Sequence, residues 1–571
     1  MLSTYTYPRY TYRRPPELDA PRAVHRHPVV VVGAGPVGLA TAIDLAQQGQ
    51  RVLLLDDDDT VSIGSRGLCW AKRTLEILDR LGCGDAVVAK GVQWNVGRTF
   101  HREQEVFNFN LLPEPDHRRP GMVNLQQYYV EQFLVERAMA LPLIDLRWKS
   151  RVTQVQRSDT SAMLTVQTTD GDYSVQADWL VVADGARSPV RRMLGLDMEG
   201  QVFKDRFLIA DVVMKEPLFA EGAAERWFWF DPPFHPGQSV LLHREADNVW
   251  RIDFQLGWDA DPELEKQPEK VIPRIQAMLG HARRPQASAS ASASDLAHEN
   301  PGPAADAFEL EWVSVYTFQC RRMKQLRHGR VLFAGDAAHQ VSPFGARGAN
   351  SGIQDADNLA WKLKAVIDGL APQALLDSYD AERGAAADEN LMNSTRSTDF
   401  LTPKSQVSRD FRNAVLTLAR EHSFARALVN SGRLSVPTHA VDSALNTADE
   451  DRFAGTQHPG SPLADAPVVQ GGRAGWLLQH LGQRFQLLWY RPGVEERAAM
   501  NDVVPTLVVG DTAAEHEDAA LIDSHGRVRE RLDLQPGTAY LLRPDQHVAA
   551  RWRSPTPAKV RAAIHRALAR H

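Results

Sequence analysis

The sequence has very few cysteines. Its 571 residues include only Cys69, Cys83 and Cys320. These three form no CxxC pair and no spacing typical of zinc ligands, so we expect neither a disulfide framework nor a bound metal. A chain without disulfides belongs by default to a reducing compartment, which here indicates the cytoplasm.

Long apolar runs are also absent. No uninterrupted apolar stretch reaches the roughly 20 residues that a membrane-spanning helix requires. Residues 1–27 contain basic and aromatic side chains but lack the apolar core of a secretory signal. We therefore expect no membrane partner. We interpret residues 1–27 as an N-terminal extension that is either draped over the surface or disordered.

The chain has no excess of positive charge. Its net charge is −6 and its pI is near 6.4, which argues against nucleic acid as the main partner. The length allows roughly two to four domains with a large core.

The sequence does contain a glycine-rich turn between two apolar strands. In "VVVVGAGPVGLA", Gly33, Gly35 and Gly38 have the GxGxxG spacing, and Pro36 begins the following helix. These glycines allow a tight turn, a close approach of the backbone to a pyrophosphate, and close packing of helix on strand. Asp56 ends the second strand, where an acid that binds a ribose hydroxyl is expected. The segment predicts a dinucleotide-binding βαβ unit, without distinguishing NAD from FAD.

Two further turn motifs follow apolar strands. "VVADGARSPVRRMLG" contains Asp184 and Gly185, then a short helix for which Ser188 is the expected N-cap. "VLFAGDAAHQVSPFGARGANSG" contains Gly335 and Asp336, followed by more glycines and a clear helix. Either motif alone is a common turn. Only their order behind the first glycine-rich turn makes them informative.

The pattern of apolar and polar residues changes several times along the remaining chain. Alternating aromatic and polar residues over 203–256 predict an antiparallel sheet. The repeat "ASASASAS" (287–294) predicts a flexible surface loop. Residues 400–455 have mainly helical patterns, and residues 460–571 read as a separate small α/β domain that contains no cysteine.

The three motifs, in this order, resemble the FAD-dependent aromatic hydroxylases of the para-hydroxybenzoate hydroxylase type. The resemblance runs from about residue 28 to 400 and includes "SRGLCWAKRTLEILDRLG" and "QQYYVEQFL". The last domain, above all "YLLRPDQHVAARW", looks like the thioredoxin-like domain of the phenol hydroxylase and 3-(3-hydroxyphenyl)propionate hydroxylase branch. Without a cysteine it is expected to serve an interface or a structural role rather than a redox one.

The resemblance implies an α/β fold. We expect a Rossmann-like FAD-binding domain, an inserted antiparallel-sheet substrate domain and a C-terminal thioredoxin-like α/β domain. The implied division is an extension at 1–27, a discontinuous FAD-binding domain at 28–90, 120–197 and 310–400, a substrate-binding domain at 91–119 and 198–309, a helical connection at 401–459, and the thioredoxin-like domain at 460–571.

The resemblance also implies roles for individual residues. Arg66 and Gln127 (or Gln126) would contact FAD, Asp184 would lie near FAD and be tied to the use of the pyridine nucleotide, and Asp336 would bind the ribityl chain. Gly345, Gly348 and the helix opening near Asn350 would bring N–H groups to the flavin. The full set of expected cofactor-binding residues is Gly33, Gly35, Pro36, Gly38, Asp56, Arg66, Gln127, Asp184, Gly335, Asp336, Pro343, Gly348, Ala349 and Asn350.

The aromatic sheet would form one wall of the substrate cavity in the resembled fold. Trp227, His243, Arg251 and Phe344 are therefore pocket candidates. The alternative for Trp227 is the ordinary core, and the alternative for His243 and Arg251, which their positions on predicted strands favour, is a structural role. A phenol titrates near pH 10 and reacts better as its anion. A histidine, a tyrosine or a chain of water molecules could remove its proton, and the sequence does not single one out; His243 is our candidate.

Two residues of the third motif are candidates near the reacting ring. Pro343 would border the flavin. Arg347 stands where many relatives carry glutamine, and a positive charge there would favour the anionic reduced flavin. The alternative for Arg347 is a surface or inter-domain ion pair. His339 has no metal partners at ligand spacing and is expected to pack or hydrogen-bond.

These features predict an FAD-dependent monooxygenase driven by NADPH or NADH. It would use molecular oxygen, through the C4a-hydroperoxide of the family's flavin, to hydroxylate a phenolic compound in aromatic catabolism. The alternatives are a polyketide-tailoring hydroxylase on the same scaffold, a flavin oxidase, and an FAD-fold binding protein without turnover. The sequence does not determine the ring position, the choice between NADH and NADPH, or the oligomeric state, and a homodimer is compatible with such a C-terminal domain.

Overall fold

The computed structural model describes residues 4–20, 23–215, 224–282, 307–429, 436–500, 502–511 and 521–570. The expected loop at 287–294 lies outside these residues. The strands, in chain order, are β1 His25–Val32, β2 Val52–Leu55, β3 Cys69–Ala71, β4 Val92–Trp94, β5 Val96–His101, β6 Gln104–Asn110, β7 Met122–Asn124, β8 Ile144–Arg147, β9 Arg151–Arg157, β10 Ala162–Thr168, β11 Gly171–Val182, β12 Glu199–Met214, β13 Arg226–Phe230, β14 Ser239–Arg244, β15 Val249–Leu256, β16 Phe308–Arg322, β17 Arg327–His328, β18 Val331–Phe333, β19 His339–Gln340, β20 Pro467–Gln470, β21 Arg473–Trp476, β22 Gln486–Tyr490, β23 Thr506–Gly510, β24 Leu521–Ile522, β25 Ala539–Leu542 and β26 Val548–Trp552.

The helices alternate with these strands in the first and last parts of the chain. They are α1 Pro36–Gln47, α2 Lys72–Leu81, α3 Gly84–Lys90, α4 Gln127–Met139, α5 Pro189–Met193, α6 Pro262–Glu265, α7 Pro268–Ala282, α8 Gly348–Ile367, α9 Asp377–Leu401, α10 Gln406–Ala419, α11 Ser423–Arg426, α12 Val494–Met500, α13 Arg527–Arg531 and α14 Pro557–Ala567. None of the helices in the described ranges is both long and apolar enough to cross a membrane.

The first sheet carries the glycine-rich motifs. Its order is β17-β18-β11-β1-β2-β8, with β10 and β9 continuing from β11. Strands β18, β11, β1, β2 and β8 are parallel neighbours. The apolar residues of β2 are all buried, as expected for a parallel strand covered on both faces. The carboxyl ends of β1, β11 and β18 therefore bring the three motifs to one edge of the sheet.

The second sheet has the order β19-β16-β12-β15-β14-β13-β5-β6. Its pairs are antiparallel except for β13 and β5, which run parallel. One face packs against α7. The other face packs against α10 and Phe344. The antiparallel sheet expected over 203–256 is confirmed, with 96–110 and 308–322 added at its sides.

The third sheet belongs to the C-terminal domain. Its order is β21-β20-β24-β23-β22-β25-β26. Strand β22 is parallel to β23 and antiparallel to β25, which is antiparallel to β26. With α12 between β22 and β23, and α14 after β26, this is the βαβ–ββα core of a thioredoxin-like domain. The expected fold class is confirmed.

The connection before the C-terminal domain is less helical than expected. Residues 400–455 were expected to be mainly helical, but helices end at Arg426 and the described residues 436–455 contain only turns and loops. There the Asn446 side chain donates to the Ala440 carbonyl oxygen at 2.7 Å. Such side-chain bonds to the backbone compete with helix formation.

Residues 4–20 of the N-terminal extension are draped over the surface, one of the two expected forms. We call residues 4–20 the N-terminal strap. Tyr5 stacks on Tyr128 of α4 with ring centroids 4.2 Å apart. Glu17 is buried and accepts a hydrogen bond of 2.8 Å from Arg147. The strap is thus anchored at both ends by buried contacts.

Candidate active site

The first and third glycine-rich motifs meet in space. A Cβ atom built on Gly335 would lie 2.9 Å from Cγ2 of Val37, and one built on Gly352 would lie 2.6 Å from the same atom. Val37 belongs to the first turn of α1, and Gly352 to the first turns of α8. The N-termini of both helices therefore converge on one region, and only glycine fits the close approach.

The first motif forms an open turn of backbone. Gly33 has φ of +102°, and its Cβ would lie 2.4 Å from the Ala183 carbonyl oxygen. A Cβ on Gly38 would lie 1.8 Å from the carbonyl oxygen of Gly33. A Cβ on Gly35 would meet nothing within 4 Å. The first and last glycines are required for packing, and the middle one leaves the backbone accessible to a pyrophosphate.

Asp56 supports this turn. Its Oδ2 accepts a hydrogen bond of 2.5 Å from the Ala34 N–H, and its Oδ1 accepts one of 2.9 Å from Asp58. Burial raises the pKa of Asp56 to about 6. Each carboxylate oxygen keeps a second lone pair, so Asp56 could also accept a hydrogen bond from a ribose hydroxyl. That role stays a prediction.

Gln127 shapes the loop that carries Arg66. Its Oε1 accepts a hydrogen bond of 2.8 Å from the Gly67 N–H, and its Nε2 donates to Glu131 Oε1 at 2.7 Å. The buried Gln126 instead donates to the Ala246 carbonyl oxygen. Of the two glutamines considered, Gln127 is the one beside Arg66.

The Asp-Gly motif has an unpaired carboxylate oxygen. Asp184 Oδ2 accepts a hydrogen bond of 3.1 Å from the Val190 N–H. Its buried Oδ1 has no hydrogen-bond partner in the described parts of the chain. Burial raises the pKa of this carboxyl. Ser188 caps α5, as expected, by accepting a bond of 3.0 Å from Arg191.

A buried charged network holds the Gly-Asp motif. Asp355 Oδ2 lies 2.6 Å from His339 Nε2 and accepts a bond of 3.0 Å from the Gly335 N–H. Its Oδ1 accepts a bond of 2.6 Å from Arg383 of α9. Burial alone would raise the pKa of Asp355, but His339 and Arg383 outweigh it and lower the pKa to about 2. His339 is a hydrogen-bonding residue, as its sequence context suggested.

Sequence reasoning missed Asp355 and Arg383. They lie 20 and 48 positions after Gly335 on two different helices. No motif spacing connects them, because the contact depends on how α9 packs beside α8.

The Asp336 carboxylate has fewer protein contacts than those of Asp184 and Asp355. It forms no side-chain hydrogen bond or ion pair with the residues that the structure describes. A Cβ on Gly348 would lie 4.0 Å from Asp336 Oδ1, so this oxygen is beside the start of α8.

The side chain of Asn350 is used structurally. Its Oδ1 accepts a bond of 2.9 Å from the Ala71 N–H, and its Nδ2 donates to the Cys69 carbonyl oxygen at 2.8 Å. These bonds fix β3 against the N-terminus of α8. The N–H groups of Gly348 and Ala349 lie in the first helical turn, where they lack intrahelical partners and carry the positive end of the helix dipole.

The structure separates two of the pocket candidates. Trp227 packs with Phe100 and Trp229 on the face of the second sheet that meets α7. Phe344 lies 5.0 Å, between ring centroids, from Phe207 and belongs to the opposite face. Of these two residues, Phe344 is the one on the side of the Gly-Asp motif.

His243 and Arg251 are register partners. They lie on the face of the sheet that carries Phe228 and Phe344. Arg251 donates to Asp211 Oδ1 at 3.0 Å and also to Ser65, so it ties the sheet to the Arg66 loop. His243 Nε2 lies 3.4 Å from Asp253 Oδ2. Burial lowers the pKa of His243 to about 4. Its Nδ1 has no hydrogen-bond partner within the described ranges.

The two candidates of the third motif differ in exposure. Pro343 is exposed, and Arg347 is buried. The Nη1 of Arg347 donates to Asn390 Oδ1 of α9 at 3.0 Å. This contact points toward α9, and an effect of Arg347 on the flavin stays a prediction.

The arrangement fits FAD. The first motif offers an exposed backbone turn, Asp184 and Asp336 offer unpaired carboxylate oxygens, and α8 offers N–H groups at its start. These groups lie along one edge where three strands end, which matches a long dinucleotide with separate polar ends. The fold and the site are those of a flavoprotein monooxygenase.

Comparison with known proteins supports this class. Residues 26–394 match the family model described as FAD binding domain, and the chain belongs to that family. It is 32% identical to a 6-methylpretetramide 4-monooxygenase of Streptomyces rimosus, over 94% of this chain and 92% of the relative. It is 29% identical to a para-nitrophenol 4-monooxygenase of Pseudomonas sp. strain WBC-3, over 62% of this chain and 82% of the relative.

Solved structures agree on the fold. The flavin-dependent monooxygenase PieE, in complex with FAD and substrate, has a TM-score of 0.76 at 23% identity, over 96% of this chain and 99% of that one. The anhydrotetracycline hydroxylase OxyS of Streptomyces rimosus has a TM-score of 0.67 at 26% identity, over 95% and 99%. The chain is therefore an FAD-dependent hydroxylase, as its resemblance implied.

Proposed function

We propose that this enzyme hydroxylates a phenolic ring of a fused-ring, polyketide-type compound, at the expense of NADPH or NADH and with O₂ as the oxygen source. The observation that most favours this substrate class is the alignment with the 6-methylpretetramide monooxygenase, because it includes the C-terminal domain as well as the FAD-binding region. This choice favours the tailoring alternative over aromatic catabolism.

The FAD-binding roles follow the geometry of the three motifs. We assign the pyrophosphate to the backbone of Gly33–Gly38, a ribose hydroxyl to Asp56 and the ribityl chain to Asp336. The ring would meet Pro343 and the first turn of α8. When bound, FAD supplies the redox and oxygen chemistry. The chain's own groups orient it, and the helix dipole favours negative charge at that edge.

His243 would handle the phenolic proton. Its Nδ1 is unpaired while its Nε2 faces Asp253. A neutral imidazole with one nitrogen held by a carboxylate can accept a proton at the other. The lowered pKa keeps the ring neutral at neutral pH, so Nδ1 can accept a hydrogen bond from the phenol. Because the same lowering makes the imidazole a weaker base, full transfer of the proton needs the phenolate to be stabilised as well.

A second candidate is hydroxylation of a single-ring phenol in catabolism. It is favoured by the similarity to the para-nitrophenol 4-monooxygenase and by 29% identity to a 3-(3-hydroxy-phenyl)propionate/3-hydroxycinnamic acid hydroxylase of Mycolicibacterium smegmatis, over 64% of this chain. These alignments leave out much of the chain.

The test is turnover with purified protein reconstituted with FAD. NADPH and NADH are each offered with anhydrotetracycline, 4-nitrophenol and 3-(3-hydroxyphenyl)propionate, and products are identified by mass. We expect substrate-stimulated NAD(P)H oxidation and a product heavier by one oxygen with the fused-ring phenol. Hydroxylation of only the single-ring phenols selects the catabolic candidate. Hydrogen peroxide without an oxygenated product contradicts both and favours an oxidase.

A further inference from the structure

Arg226 is a buried cation that has no hydrogen-bond acceptor among the residues described. It begins β13 and is only 4% exposed. Its Nε and Nη1 are buried without a hydrogen-bond partner, and its guanidinium forms no hydrogen bond or ion pair with any residue in the described ranges. Transferring a charge into the interior without a partner is costly.

Neighbouring arginines on the same sheet behave differently. Arg98 of β5 donates to Glu225 and Glu105. Arg251 of β15 is paired with Asp211. The sheet thus supplies carboxylates to these two arginines, whereas Arg226 contacts two aromatic rings. Its Cζ lies 5.9 Å from the Trp94 ring centroid and 5.5 Å from that of Phe228. Cation–π contacts offset only part of the cost of burial.

Arg226 lies on the side of the sheet that faces the candidate active site. His243 follows Leu242, the register partner of Trp227, so His243 is beside Arg226. The ring of Trp94 packs in one cluster with Cys69 and with Ala346 of the Gly-Asp loop. Cys69 is in turn held by Asn350 at the start of α8. Arg226 therefore lies beside His243, and its ring partner Trp94 packs near the Gly-Asp loop.

The described groups that face Arg226 form no hydrogen bond with it, and the Asp253 carboxylate attracts its charge only from a distance. Burial raises the pKa of the Cys69 thiol to about 11, so this thiol is uncharged at neutral pH. His243 is uncharged there for the reason given above. Asp253 lies 3.4 Å from the neutral His243, and Arg251 is paired with Asp211. The buried Glu245 lies 3.4 Å from Arg251, and burial raises the pKa of its carboxyl. What the described residues do not supply is an acceptor for the N–H groups of Arg226, which lie between the rings of Trp94 and Phe228.

We propose that Arg226 binds an oxygen anion of the aromatic substrate and thereby selects substrates with an ionised phenol, enol or carboxyl group. This rests on the proposed function, because it assumes that an aromatic substrate enters this space. A guanidinium over a fixed pair of rings presents several N–H donors to an oxygen anion, and such charge-assisted bonds are the strong ones. For a phenol, the Arg226 cation lowers the pKa of the substrate hydroxyl, so the proton passes to His243 more readily.

The test measures ligand ionisation in the oxidised holoenzyme without NADPH or NADH. The probes are 4-nitrophenol and anhydrotetracycline, titrated against pH by the absorbance of their anions. Wild type is compared with R226Q, R226K and the control R98Q, which removes a paired arginine from the adjacent strand. We expect wild type, R226K and R98Q to lower the pKa of the bound phenol. We expect R226Q to lose this effect and to bind the anion about thirtyfold more weakly.

Two further readouts exclude a structural role. FAD affinity should be equal in wild type and R226Q, and the melting temperature of R226Q should be equal or higher, because an unpaired buried charge is removed. Unchanged anion binding in R226Q overturns the proposal, as does a loss of FAD affinity, which would assign Arg226 to the flavin.

Failure of the proposed function is separable from failure of this inference. If wild type hydroxylates a probe and R226Q binds its anion equally well, only the role of Arg226 is wrong. If Arg226 controls anion binding and no oxygenated product forms, only the proposed reaction is wrong. If wild type binds neither probe and hydroxylates neither, both are overturned. A methyl ether of 4-nitrophenol, which cannot ionise, should bind wild type and R226Q alike.

Discussion

At the scale of single residues, the site depends on polar atoms that the fold leaves unpaired. Asp184 Oδ1 and His243 Nδ1 are buried without hydrogen-bond partners in the described parts of the chain. Most buried polar atoms in folded proteins are paired, so each of these two atoms is a candidate for a ligand contact. Paired residues such as Arg251 and Asn350 instead hold the walls in position.

His243 provides the residue-scale prediction. Replacing it by glutamine removes the proton acceptor while keeping a hydrogen-bonding side chain of similar reach. At pH 7 we expect kcat/KM for a phenolic substrate to fall by about 10²-fold or more. The deficit should shrink as the pH approaches the pKa of the phenol, because the substrate is then already ionised. The pH profile of kcat/KM measures this, and a deficit independent of pH would contradict a role in proton transfer.

At the scale of elements, the N-terminal strap connects two domains at the Arg66 loop. Thr4 donates its N–H to Glu311 of β16 at 2.8 Å. The Tyr7 hydroxyl accepts a hydrogen bond of 2.9 Å from the Gly64 N–H. A Cβ on Gly64, where φ is +79°, would lie 2.6 Å from the Trp312 ring. The loop before Arg66 is therefore held between the strap and the substrate sheet.

Removing the Tyr7 hydroxyl tests this element. Y7F leaves the buried Gly64 N–H without its acceptor, at a cost of about 1–3 kcal/mol to the ordered loop. We expect FAD to bind several-fold more weakly, as measured by fluorescence titration of apoprotein, with little change in global unfolding. The matched control is Y12F, since Tyr12 belongs to the same strap but bonds Thr168 and Asp170 on the distant hairpin. Equal FAD affinity in Y7F and Y12F would contradict a role of the strap in holding the loop.

At the scale of the whole molecule, the C-terminal domain is joined to the FAD-binding region through buried ions. Glu382 of α9 accepts bonds of 2.7 Å from Lys362 of α8 and 2.8 Å from Arg543. Arg543 is also paired with Asp545, which accepts a bond of 3.0 Å from Trp361. These contacts explain the segment "RPDQ": its charges are fully buried and complete a network begun on α8 and α9.

Breaking this network should destabilise both parts together. E382Q leaves Lys362 and Arg543 without their shared carboxylate, which we expect to lower the free energy of unfolding by about 3–5 kcal/mol. The control D368N removes an exposed pair with Lys364 and should change it by less than about 0.5 kcal/mol. Chemical denaturation followed by tryptophan fluorescence gives both values.

The same substitution has a defined dependence on pH. Burial alone would raise the pKa of Glu382, but Arg543 and Lys362 hold it well below its ordinary value of 4.5. A carboxyl with a lowered pKa stabilises the fold fully above its ordinary pKa and loses this effect as the pH falls below it. The difference between wild type and E382Q should therefore be largest near neutral pH and shrink on acidification. A difference that grows toward low pH would contradict the ion network.

The sequence alone determined the parts of this protein that depend on local chemistry. The glycines of the first motif, the Ser188 cap and the alternation of the substrate sheet were readable because turns, caps and strand faces depend on neighbouring residues. The resemblance of the three motifs in order was enough to indicate FAD and the class of enzyme.

Only the tertiary structure decided which side chains are free to act. Trp227 and Phe344 are both aromatic, yet they lie on opposite faces of the substrate sheet. Arg226, Arg251 and Arg98 are alike in sequence context, but only Arg226 lacks a carboxylate among the described residues. Asp355 and Arg383 meet through the packing of two helices. A sequence gives the identity of each charged group, whereas its partner, its hydration and therefore its role depend on contacts between residues far apart in the chain.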